Sequence, residues 1–474
     1  MARVYIETFG CQMNEADSQY IADRAAAAGY AIVDRPEEAN VVVVNTCTVR
    51  ESAERRAYGR MHHLKLLKER DPSVRLVVTG CLAEQDRDRM GRVAPHVDAV
   101  FGTSELVQLG DRLDRWRGDF DALADADEER LASDEHLLQP FGGKADGIAG
   151  PFSHLRSFVT VQRGCSYYCT FCIVPHVRGR FDHRPMHAIV DEVRASVSGG
   201  AREVTLVGQT VNAWRDAATG AGFGDLCDAI CGGEAAPERL AFISPHPKDF
   251  TEAMIAGFAR HAQLGRRVHL PLQSASDAVL RRMNRKYTRA QFEERVAWIE
   301  RDLPGCAITT DIIVGFPSET EEDFAQTLEM VRRGIFANAY TFMYSPRRGT
   351  PAAAWEQVDR GVVAERFARV VEAANASTFA YHARKVGVTA RCLVVGNSKK
   401  DPLRLAAKDG DNVTVVAPKP PDYAEAAYAN TPWLDITIER AHLWGCTGSI
   451  LRRAARVDRQ GVTVPMPAID LIAG

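Results

Sequence analysis

The sequence predicts an α/β protein of three parts: an amino-terminal open parallel α/β domain, a central partial barrel of six strand–helix units, and a small carboxy-terminal β-barrel. Three observations lead to this prediction. Short apolar runs alternate with helical patterns over residues 1–117 and again over residues 151–350. From residue 386 to residue 452, apolar and polar residues alternate instead, which is typical of half-buried strands. At 474 residues, the chain is also too long for one ordinary hydrophobic core.

Composition and charge restrict the classes of function. The formal net charge is −3, so any RNA binding would need local basic patches rather than an overall positive field. The eleven cysteines are scattered and odd in number, which indicates reduced thiols and metal ligation rather than a disulfide framework. The first residues show no apolar signal segment, and no apolar run approaches the ~18 residues of a membrane span. We therefore expect a cytoplasmic protein that does not contact a membrane.

The amino-terminal domain, residues 1–117, places a cysteine after each of three predicted strands. The strands are apolar runs at residues 4–6, 41–44 and 76–78, and the cysteines that follow them are Cys11, Cys47 and Cys81. Ligands bind beyond the carboxyl ends of parallel strands, where these thiols would converge. One cysteine near a strand end is often only a small core residue. Three at equivalent positions favour the ligand set of an iron–sulfur cluster.

An acidic linker is predicted to follow at residues 118–150. Acidic side chains outnumber basic ones in this stretch, and glycines follow them. Such a composition is typical of a flexible, solvated connector, with at most one short helix.

The central domain, residues 151–380, is predicted to contain six parallel strands. They are the runs at residues 157–162, 203–208, 239–243, 267–272, 308–314 and 338–343. Six units are too few for a closed eight-stranded barrel, so we expect a partial barrel with its active site at the carboxyl ends of the strands. The loops at those ends carry Gln209, Ser244, Gln273 and Gly315.

Three cysteines with C-x3-C-x2-C spacing directly follow the first of these strands. They are Cys165, Cys169 and Cys172. Thiolates favour iron–sulfur clusters, zinc or copper(I). A [4Fe–4S] cluster normally takes four thiolates, so three would leave one iron open to a small chelating ligand. The residues alone also allow a zinc site completed by His176, or three buried cysteines without a metal.

The carboxy-terminal domain, residues 381–452, is predicted to be the small β-barrel, followed by a tail at residues 453–474. One of its turns carries Lys399 and Lys400. Residues 418–432 are rich in proline and alanine and are interpreted as an insertion. A second basic segment, Arg178-Gly179-Arg180, follows the cysteine loop, and with the lysine pair it is predicted to contact phosphates.

Several segments resemble the radical S-adenosylmethionine (SAM) methylthiotransferases. The cysteine loop, with Phe171 before its last cysteine, resembles the cluster loop of the radical SAM superfamily. The three amino-terminal segments that resemble this family are Thr8-Phe9-Gly10-Cys11-Gln12-Met13-Asn14, Asn45-Thr46-Cys47 and Thr79-Gly80-Cys81. The last domain resembles a TRAM domain, an OB-like RNA-binding barrel.

The resemblance implies the cofactors. Two [4Fe–4S] clusters are implied, one held by Cys165, Cys169 and Cys172 and an auxiliary one by the three amino-terminal cysteines. The open iron of the first would chelate SAM, whose reductive cleavage gives methionine and a 5′-deoxyadenosyl radical. The strand-end residues would line the SAM pocket; they are Gln209, Ser244, Gln273 and Gly315.

The resemblance also implies the substrate. The residues after Cys11, with Ser398-Lys399-Lys400, resemble the branch that attaches a methylthio group to C2 of N6-dimethylallyladenosine at position 37 of tRNA. Its partners would be the anticodon stem-loop carrying that nucleoside and an electron donor such as flavodoxin or ferredoxin. Within the class, the alternatives are threonylcarbamoyl-adenosine in tRNA and an aspartate of a ribosomal protein. Outside it, the alternative is an RNA-binding iron–sulfur sensor without catalysis.

Overall fold

The amino-terminal domain is a five-stranded parallel sheet with helices on both faces. The computed structural model describes residues 2–48, 51–124, 152–264, 266–421 and 423–453. The strands are β1 (Arg3–Thr8), β2 (Ala31–Ile32), β3 (Val41–Thr46), β4 (Arg75–Gly80) and β5 (Ala99–Phe101), in the order β2-β1-β3-β4-β5. The helices are α1 (Gln12–Ala27), α2 (Glu51–Arg70), α3 (Cys81–Val93) and α4 (Leu106–Ala124).

The valines of β3 show why this sheet is covered on both faces. Val41 and Val43 pack with residues of α1 and α4, whereas Val42 and Val44 pack with residues of α2 and α3. Successive side chains of a strand point to opposite faces, so an unbroken apolar run needs a helix layer on each side. With both faces covered by helices, the carboxyl ends of the strands are the part of the sheet where ligands can bind.

Helix α4 continues to Ala124, past the predicted linker start at residue 118. Trp116 and Phe120 lie four residues apart and are both buried in the same core, so one face of the helix stays apolar through this acidic stretch. The rest of the predicted linker lies outside the described residues.

The central domain contains the six predicted parallel strands, arranged as two three-stranded sheets. They are β6 (Arg156–Thr160), β9 (Glu203–Val207), β10 (Arg239–Phe242), β11 (Arg267–His269), β12 (Ala307–Val314) and β13 (Phe336–Met343). Their orders are β10-β9-β6 and β11-β12-β13, and every pairing is parallel. A small antiparallel pair, β7 (Gln162–Arg163) and β8 (Asp182–His183), flanks the cysteine loop. This arrangement confirms the predicted partial barrel.

Helices connect and cover these strands. They are α5 (Val174–Val177), α6 (Met186–Ser198), α7 (Phe223–Gly232), α8 (Glu252–Phe258), α9 (Asp277–Arg282), α10 (Arg289–Asp302), α11 (Glu321–Arg332) and α12 (Arg360–Ala383). Thr288, Thr320 and Asp359 start the last three helices by accepting a backbone N–H bond in the first turn. These caps fix where the chain leaves the strand-end loops and enters each helix.

The carboxy-terminal domain is a closed five-stranded barrel of order β14-β15-β16-β18-β17. The strands are β14 (Thr389–Asn397), β15 (Arg404–Lys408), β16 (Thr414–Pro418), β17 (Trp433–His442) and β18 (Gly445–Arg453). The predicted insertion at 418–432 contains α13 (Glu425–Asn430), whose Tyr428 is buried in the barrel core. The predicted tail beyond residue 453 lies outside the described residues.

This barrel packs against the amino ends of the central strands. Phe152 and Leu155, which precede β6, lie in the core of the carboxy-terminal barrel. The guanidinium of Arg239, at the start of β10, lies 4.9 Å from the ring centroid of Trp433. The barrel therefore sits at the end of the central domain opposite to the cysteine loop.

Within the described ranges, no helix has both the length and the apolar character needed to cross a membrane.

Candidate active site

The three amino-terminal cysteines lie at the carboxyl ends of adjacent strands, as predicted. Cys11 precedes the first residue of α1, Cys47 directly follows β3, and Cys81 is the first residue of α3. We call them the strand-end cysteines. Their strands β1, β3 and β4 are neighbours in the sheet, which brings the thiols together. A hydrogen bond with Cys47 and the positive charge of Arg178 lower the pKa of Cys11 to about 6, although burial acts in the opposite direction.

Two buried asparagines connect the loop of Cys11 with the strand that precedes Cys47. Asn14 Nδ2 donates to Asn45 Oδ1 at 2.9 Å and to the carbonyl of Thr46 at 3.0 Å, and Asn45 Nδ2 donates to the carbonyl of Asn14 at 2.9 Å. The Cys11 thiol donates to Asn14 Oδ1 at 3.4 Å. These bonds fix the loop after β1 against the end of β3. The two asparagines therefore orient the backbone that carries Cys11 and Cys47.

Gly80 allows α3 to begin immediately at Cys81. Its φ is +99°, and a Cβ there would lie 2.2 Å from the carbonyl oxygen of Thr46. A side chain at this position would push the ends of β3 and β4 apart. The glycine thus keeps Cys47 and Cys81 close.

A buried arginine from the central domain reaches the strand-end cysteines. Arg178 Nε donates to Cys81 Sγ at 3.1 Å, and Arg178 Nη2 donates to Asp17 Oδ2 at 2.7 Å. Both charged side chains are almost fully buried. Burial raises the pKa of the Cys81 thiol, whereas the positive charge of Arg178 lowers it. A guanidinium in this position offsets the negative charge of a thiolate ligand.

The loop cysteines Cys165, Cys169 and Cys172 lie in a tight turn after β7. Gly164 before the turn has φ +72°, and a Cβ there would lie 1.9 Å from the carbonyl oxygen of Arg180, so the turn requires glycine. The sulfur of Cys165 lies 3.4 Å from Thr210 Oγ1.

A second buried arginine donates to one of the other two loop cysteines. Arg285 Nη1 donates to Cys169 Sγ at 3.5 Å. Burial, followed by the charge of Cys169, raises the pKa of the Cys172 thiol to about 12 in the absence of a metal. Each cysteine set therefore has one buried arginine that donates to one of its sulfurs.

The segment that follows α9 binds the backbone of the loop that carries Cys165, Cys169 and Cys172. Asn284 Nδ2 donates to the carbonyls of Tyr167 and Tyr168 at 3.1 and 3.0 Å, and Thr170 N donates to the carbonyl of Met283 at 3.1 Å. The ring of Phe171 meets that of Phe316 edge-on, with centroids 6.4 Å apart. The loop backbone is therefore fixed on several sides, which positions its sulfurs.

The strand-end loops of the central domain present buried polar atoms that have no hydrogen-bond partner among the described residues. The residues that carry these atoms are Gln162, Gln209, His246, Gln273 and Glu319. Buried polar groups are normally hydrogen-bonded, so such a group of atoms indicates a polar ligand. Burial lowers the pKa of His246, so its ring is neutral; Nδ1 accepts from the N–H of Lys248 at 3.2 Å, which leaves Nε2 as a donor.

The four residues predicted to line the SAM pocket lie in the loops that follow successive strands, as expected. Ser244 and Gln273 have positive φ values, 56° and 68°, which turn the chain sharply beyond the strands. Gly315 has φ +74°, and its N–H donates to Glu319 Oε2 at 2.8 Å. Gln209 and Gln273 are among the residues with unpartnered oxygens.

A cleft of about 630 Å³ opens beside the loop cysteines. Its lining includes Tyr168, Cys169, Cys172, His176 and Arg348. Arg348 Nη2 donates to Asp86 Oδ1 at 2.7 Å, so the rim of the cleft joins the loop before α12 to α3 of the amino-terminal domain. The volume lies within the usual range for small-molecule pockets.

The two cysteine sets meet at the contact between the first two domains. Met13 and Ala16 of α1 pack against Val207 at the end of β9. Ile173, just before the short helix α5, and Val177, its last residue, pack against Cys81. The strand-end cysteines therefore lie beside the carboxyl ends of the central strands, where the loop cysteines are found.

The donor chemistry of both sets fits iron–sulfur clusters. Within the part of the chain that the structure describes, no three His, Cys, Asp or Glu side chains are grouped closely enough to hold a single metal ion. Thiolates of a [4Fe–4S] cluster bind different irons and are therefore further apart than the ligands of one ion. Three thiols and one buried guanidinium in each set suit a negatively charged cluster better than a lone zinc ion.

Known proteins match both of these regions. Residues 3–102 match the model described as Uncharacterized protein family UPF0004, and residues 159–331 match that of the Radical SAM superfamily. The tRNA-2-methylthio-N(6)-dimethylallyladenosine synthase of Desulfitobacterium hafniense (strain Y51) is 37% identical over 453 residues, which cover 94% of this chain and 97% of the relative. The chain belongs to the tRNA-2-methylthio-N(6)-dimethylallyladenosine synthase family. The synthase of Frankia casuarinae is 43% identical over 399 residues, covering 84% of this chain and 72% of the relative.

A solved structure supports the fold of this synthase family member. The radical S-adenosylmethionine methyltransferase TsrM from Kitasatospora setae, with cobalamin and a [4Fe-4S] cluster bound, aligns with a TM-score of 0.50 and 15% identity over 74% of each chain. At that identity the likeness concerns the fold alone, and it confirms the predicted radical SAM architecture. As a radical SAM enzyme, the synthase family member uses SAM and a [4Fe–4S] cluster.

One sequence-based prediction about the basic residues is wrong. The Arg-Gly-Arg pattern predicts that Arg178 contacts phosphates with Arg180, but the Arg178 side chain is 5% exposed and is paired with Asp17 and Cys81. Lys399 and Lys400 lie in the turn after β14, in the barrel at the opposite end of the central strands, and are exposed there. The structure therefore does not bring them to the cysteines.

The sequence pattern does not identify several residues of the site. Arg285 carries no local signal, because its contact with Cys169 joins segments that are distant in the chain, whereas the sequence already places His246 in a strand-end loop. Asn14 and Asn45 belong to the segments that resemble the family, although the sequence does not distinguish ligand support from helix capping.

Proposed function

We propose that this protein adds a methylthio group to C2 of N6-dimethylallyladenosine at position 37 of tRNA. The observation that carries the proposal is the contact between the two cysteine sets. Arg178, six residues after Cys172, donates to Cys81 of the other set at 3.1 Å. The curated relatives that match most of the chain are named for this activity, which supports the same substrate here.

Each cysteine set would hold one [4Fe–4S] cluster, the loop set binding SAM and the strand-end set forming the auxiliary site. When bound, these groups would supply methyl transfer from one SAM to a sulfur at the auxiliary site and one-electron cleavage of a second SAM for removal of the C2 hydrogen atom. The methylthio sulfur would then replace that hydrogen, and the auxiliary cluster would take up the remaining electron. An aromatic C–H has no acidic proton for a general base. The chain's own residues therefore bind, orient and exclude water rather than transfer protons.

The strand-end loops of the central domain would orient SAM. Gln209 Oε1, Gln273 Oε1 and His246 Nε2 are buried and unpartnered among the described residues, so they can accept from or donate to its amino acid, ribose and adenine groups. His246 is held in place because its N–H and carbonyl both bond to Asn212, at 2.8 and 2.9 Å. Such fixed polar atoms cost little reorganisation when the ligand enters.

The nucleoside would enter through the cleft beside the loop cysteines. Tyr168 lines the cleft and is 45% exposed, which makes its ring available for stacking on a base. Arg348 lies on the rim with its side chain 74% exposed and can reach the flanking phosphates. The apolar dimethylallyl group would supply binding energy that positions the adenine.

The partners follow from this chemistry. The macromolecular partner would be the anticodon stem-loop of tRNA carrying the dimethylallyl group. A small redox protein of the flavodoxin or ferredoxin kind would supply the electron, and the reaction would take place in the cytoplasm, where tRNA is modified.

Nucleoside mass spectrometry tests the proposal directly. In tRNA digests of cells that lack this protein, we expect the 2-methylthio-N6-dimethylallyladenosine signal to disappear and N6-dimethylallyladenosine to accumulate. The control is complementation with wild-type protein and with Cys169→Ala, of which only the first should restore the signal. Unchanged methylthio nucleoside in the deletion strain would contradict the proposal.

A reconstituted assay separates the alternatives within the class. tRNA carrying the dimethylallyl group should be methylthiolated, whereas the same tRNA without it should be a poor substrate, because the remote group fixes the reacting centre. Equal turnover of both tRNAs would exclude this branch and leave the enzyme class intact. Absence of 5′-deoxyadenosine after reduction with SAM would instead favour a sensor without catalysis.

A further inference from the structure

Arg178 is the charged side chain that connects the two cysteine sets. It lies directly after α5, in the segment that leaves the loop cysteines. Its Nε and Nη2 atoms donate to two residues of the amino-terminal domain, Cys81 Sγ at 3.1 Å and Asp17 Oδ2 at 2.7 Å. The side chains of Arg178 and Asp17 are 5% and 3% exposed, so neither contact is a surface ion pair.

The surrounding contacts fix this arginine on the amino-terminal domain. Thr103 Oγ1 donates to the carbonyl of Val177 at 2.6 Å. Ile173 and Val177 pack against Cys81 itself. The segment after Cys172 is therefore held on the amino-terminal domain by apolar packing and by the Thr103 hydrogen bond, independently of the contacts that the guanidinium makes. The contact between the two domains therefore fixes the orientation of the Arg178 side chain.

The charges explain why an arginine occupies this position. An arginine remains protonated, and burying its charge is costly unless opposite charges and hydrogen bonds compensate. Asp17 supplies one negative charge, and a thiolate at Cys81 would supply a second. The Nε–H points at the sulfur, the geometry of a charge-assisted hydrogen bond to a thiolate ligand. Hydrogen bonds and positive charge at cluster sulfurs raise the reduction potential of a cluster.

We propose that Arg178 is a positioning residue of the auxiliary site: it holds the Cys81 thiolate, raises the reduction potential of the auxiliary cluster, and makes that site depend on the docking of the cysteine loop of the central domain. The inference rests on the proposed function, because it requires the auxiliary cluster. Arg178 belongs to the segment that follows the loop cysteines, but its proposed role is in the site of the strand-end cysteines.

The test measures the auxiliary cluster alone. The parent protein carries Cys165→Ala, Cys169→Ala and Cys172→Ala, which removes the loop set and leaves the strand-end cysteines. After anaerobic reconstitution with iron and sulfide, iron content per chain and the midpoint potential by redox titration with electron paramagnetic resonance are recorded. Neither measurement requires turnover.

Two variants at the buried ion pair should shift the potential in opposite directions. In this parent, Arg178→Met removes the positive donor, so we expect a lower midpoint potential and less retained iron. Asp17→Asn removes a negative charge near the same sulfur, so we expect a higher midpoint potential. A purely structural role would not produce shifts of opposite sign. Arg180→Met, an exposed arginine two residues away, is the matched control and should change neither quantity.

Each outcome has a distinct meaning. A parent that holds about four irons, with an Arg178→Met variant of unchanged potential and iron content, would overturn the role of Arg178 and leave the proposed function standing. A parent without iron would overturn the auxiliary cluster itself, and the role of Arg178 with it. If Arg178→Met fails to fold by circular dichroism, Asp17→Asn decides: a higher potential supports the proposal, and an unchanged or lower potential refutes it.

Discussion

The guanidinium of Arg285 donates to the sulfur of Cys169 at 3.5 Å from a buried position. Two further bonds hold it there: Nε donates to the hydroxyl of Tyr287 at 3.3 Å, and Nη2 donates to the carbonyl of Pro271 at 3.1 Å. The segment after α9 thus approaches the central cysteine of the loop. A residue 116 positions away in the chain is fixed on a sulfur that we expect to bind iron.

Removing this donor should weaken the site of the loop cysteines selectively. Arg285→Met leaves Tyr287 and Pro271 without their shared partner and leaves Cys169 without a positive neighbour. We expect reduced iron retention in the loop set and a loss of 5′-deoxyadenosine formation of about 10-fold or more, in the range that support residues of metal ligands contribute. Arg282→Met, whose guanidinium lies on the ring of Trp355, is the control. Wild-type iron content and cleavage would refute the role of Arg285.

The two cysteine sets should be separable by mutation, because each domain supplies its own thiols. Cys169→Ala is expected to abolish SAM cleavage, whereas Cys47→Ala is expected to leave cleavage measurable and to stop methylthio transfer. Wild-type protein should carry about eight irons after reconstitution, and each variant about half of that number. Iron analysis and chromatography of deoxyadenosine and modified nucleosides provide the measurements. Full methylthiolation by Cys47→Ala protein would exclude the auxiliary site.

The turn after β14 should act as a distant RNA-binding element. With Lys399→Ala plus Lys400→Ala, we expect weaker tRNA binding and a slope of log affinity against log salt that falls by about one unit for each phosphate that the lysines no longer neutralise. Deoxyadenosine formation without tRNA should not change, because the turn lies in the barrel at the other end of the central strands. Salt titration of tRNA binding tests this. If affinity and slope both equal those of the wild type, the lysines do not bind RNA.

Glu319 should make the stability of the protein depend on pH. Burial raises the pKa of this carboxyl from 4.5 to about 7, although Gly315 N–H and Arg366 stabilise its charged form. In the unfolded chain Glu319 releases its proton near pH 4.5, whereas in the folded chain it retains the proton to about pH 7. Its contribution to the free energy of unfolding therefore falls as the pH rises from about 4.5 to about 7.

Glu319→Gln has no proton to release. Relative to wild type, we expect the variant to gain roughly 1 to 3 kcal/mol between pH 4.5 and pH 7.5. Arg366 keeps partners in the variant, the carbonyl of residue 319 at 2.9 Å and Glu321 at 3.1 Å. Thermal unfolding without SAM measures the difference, and the exposed Glu322→Gln is the control. A difference that stays constant across this range would contradict the prediction.

The strands and the positions of the six cysteines could be predicted because their signals are local. Apolar runs such as Val41–Val44 are buried on both faces, and a cysteine three to five residues after each run marks the end of the sheet where ligands can bind. Six βα units in the central domain have the same kind of local signal. Sequence periodicity identifies such elements without any tertiary contact.

The arginines could not be predicted, because their roles arise from contacts across the chain. An Arg-Gly-Arg segment in a loop is typical of phosphate binding, yet Arg178 is buried against Cys81, 97 residues earlier. The acidic residues around Asp119 likewise indicate a linker, although Trp116 and Phe120 keep that face of α4 in the core. In both cases the sequence shows the polar composition of the segment. It does not show which side chains become buried when distant parts of the chain pack together.

The burial of Phe152 and Leu155 in the last barrel has a consequence for how the chain folds as it is synthesised. These two side chains emerge before β6, but the strands that cover them, beginning at Thr389, emerge more than 230 residues later. The apolar side chains of Phe152 and Leu155 therefore remain uncovered during synthesis until the carboxy-terminal barrel has formed. A chain truncated before residue 389 would leave these two side chains uncovered, so we expect loss of the barrel to promote aggregation.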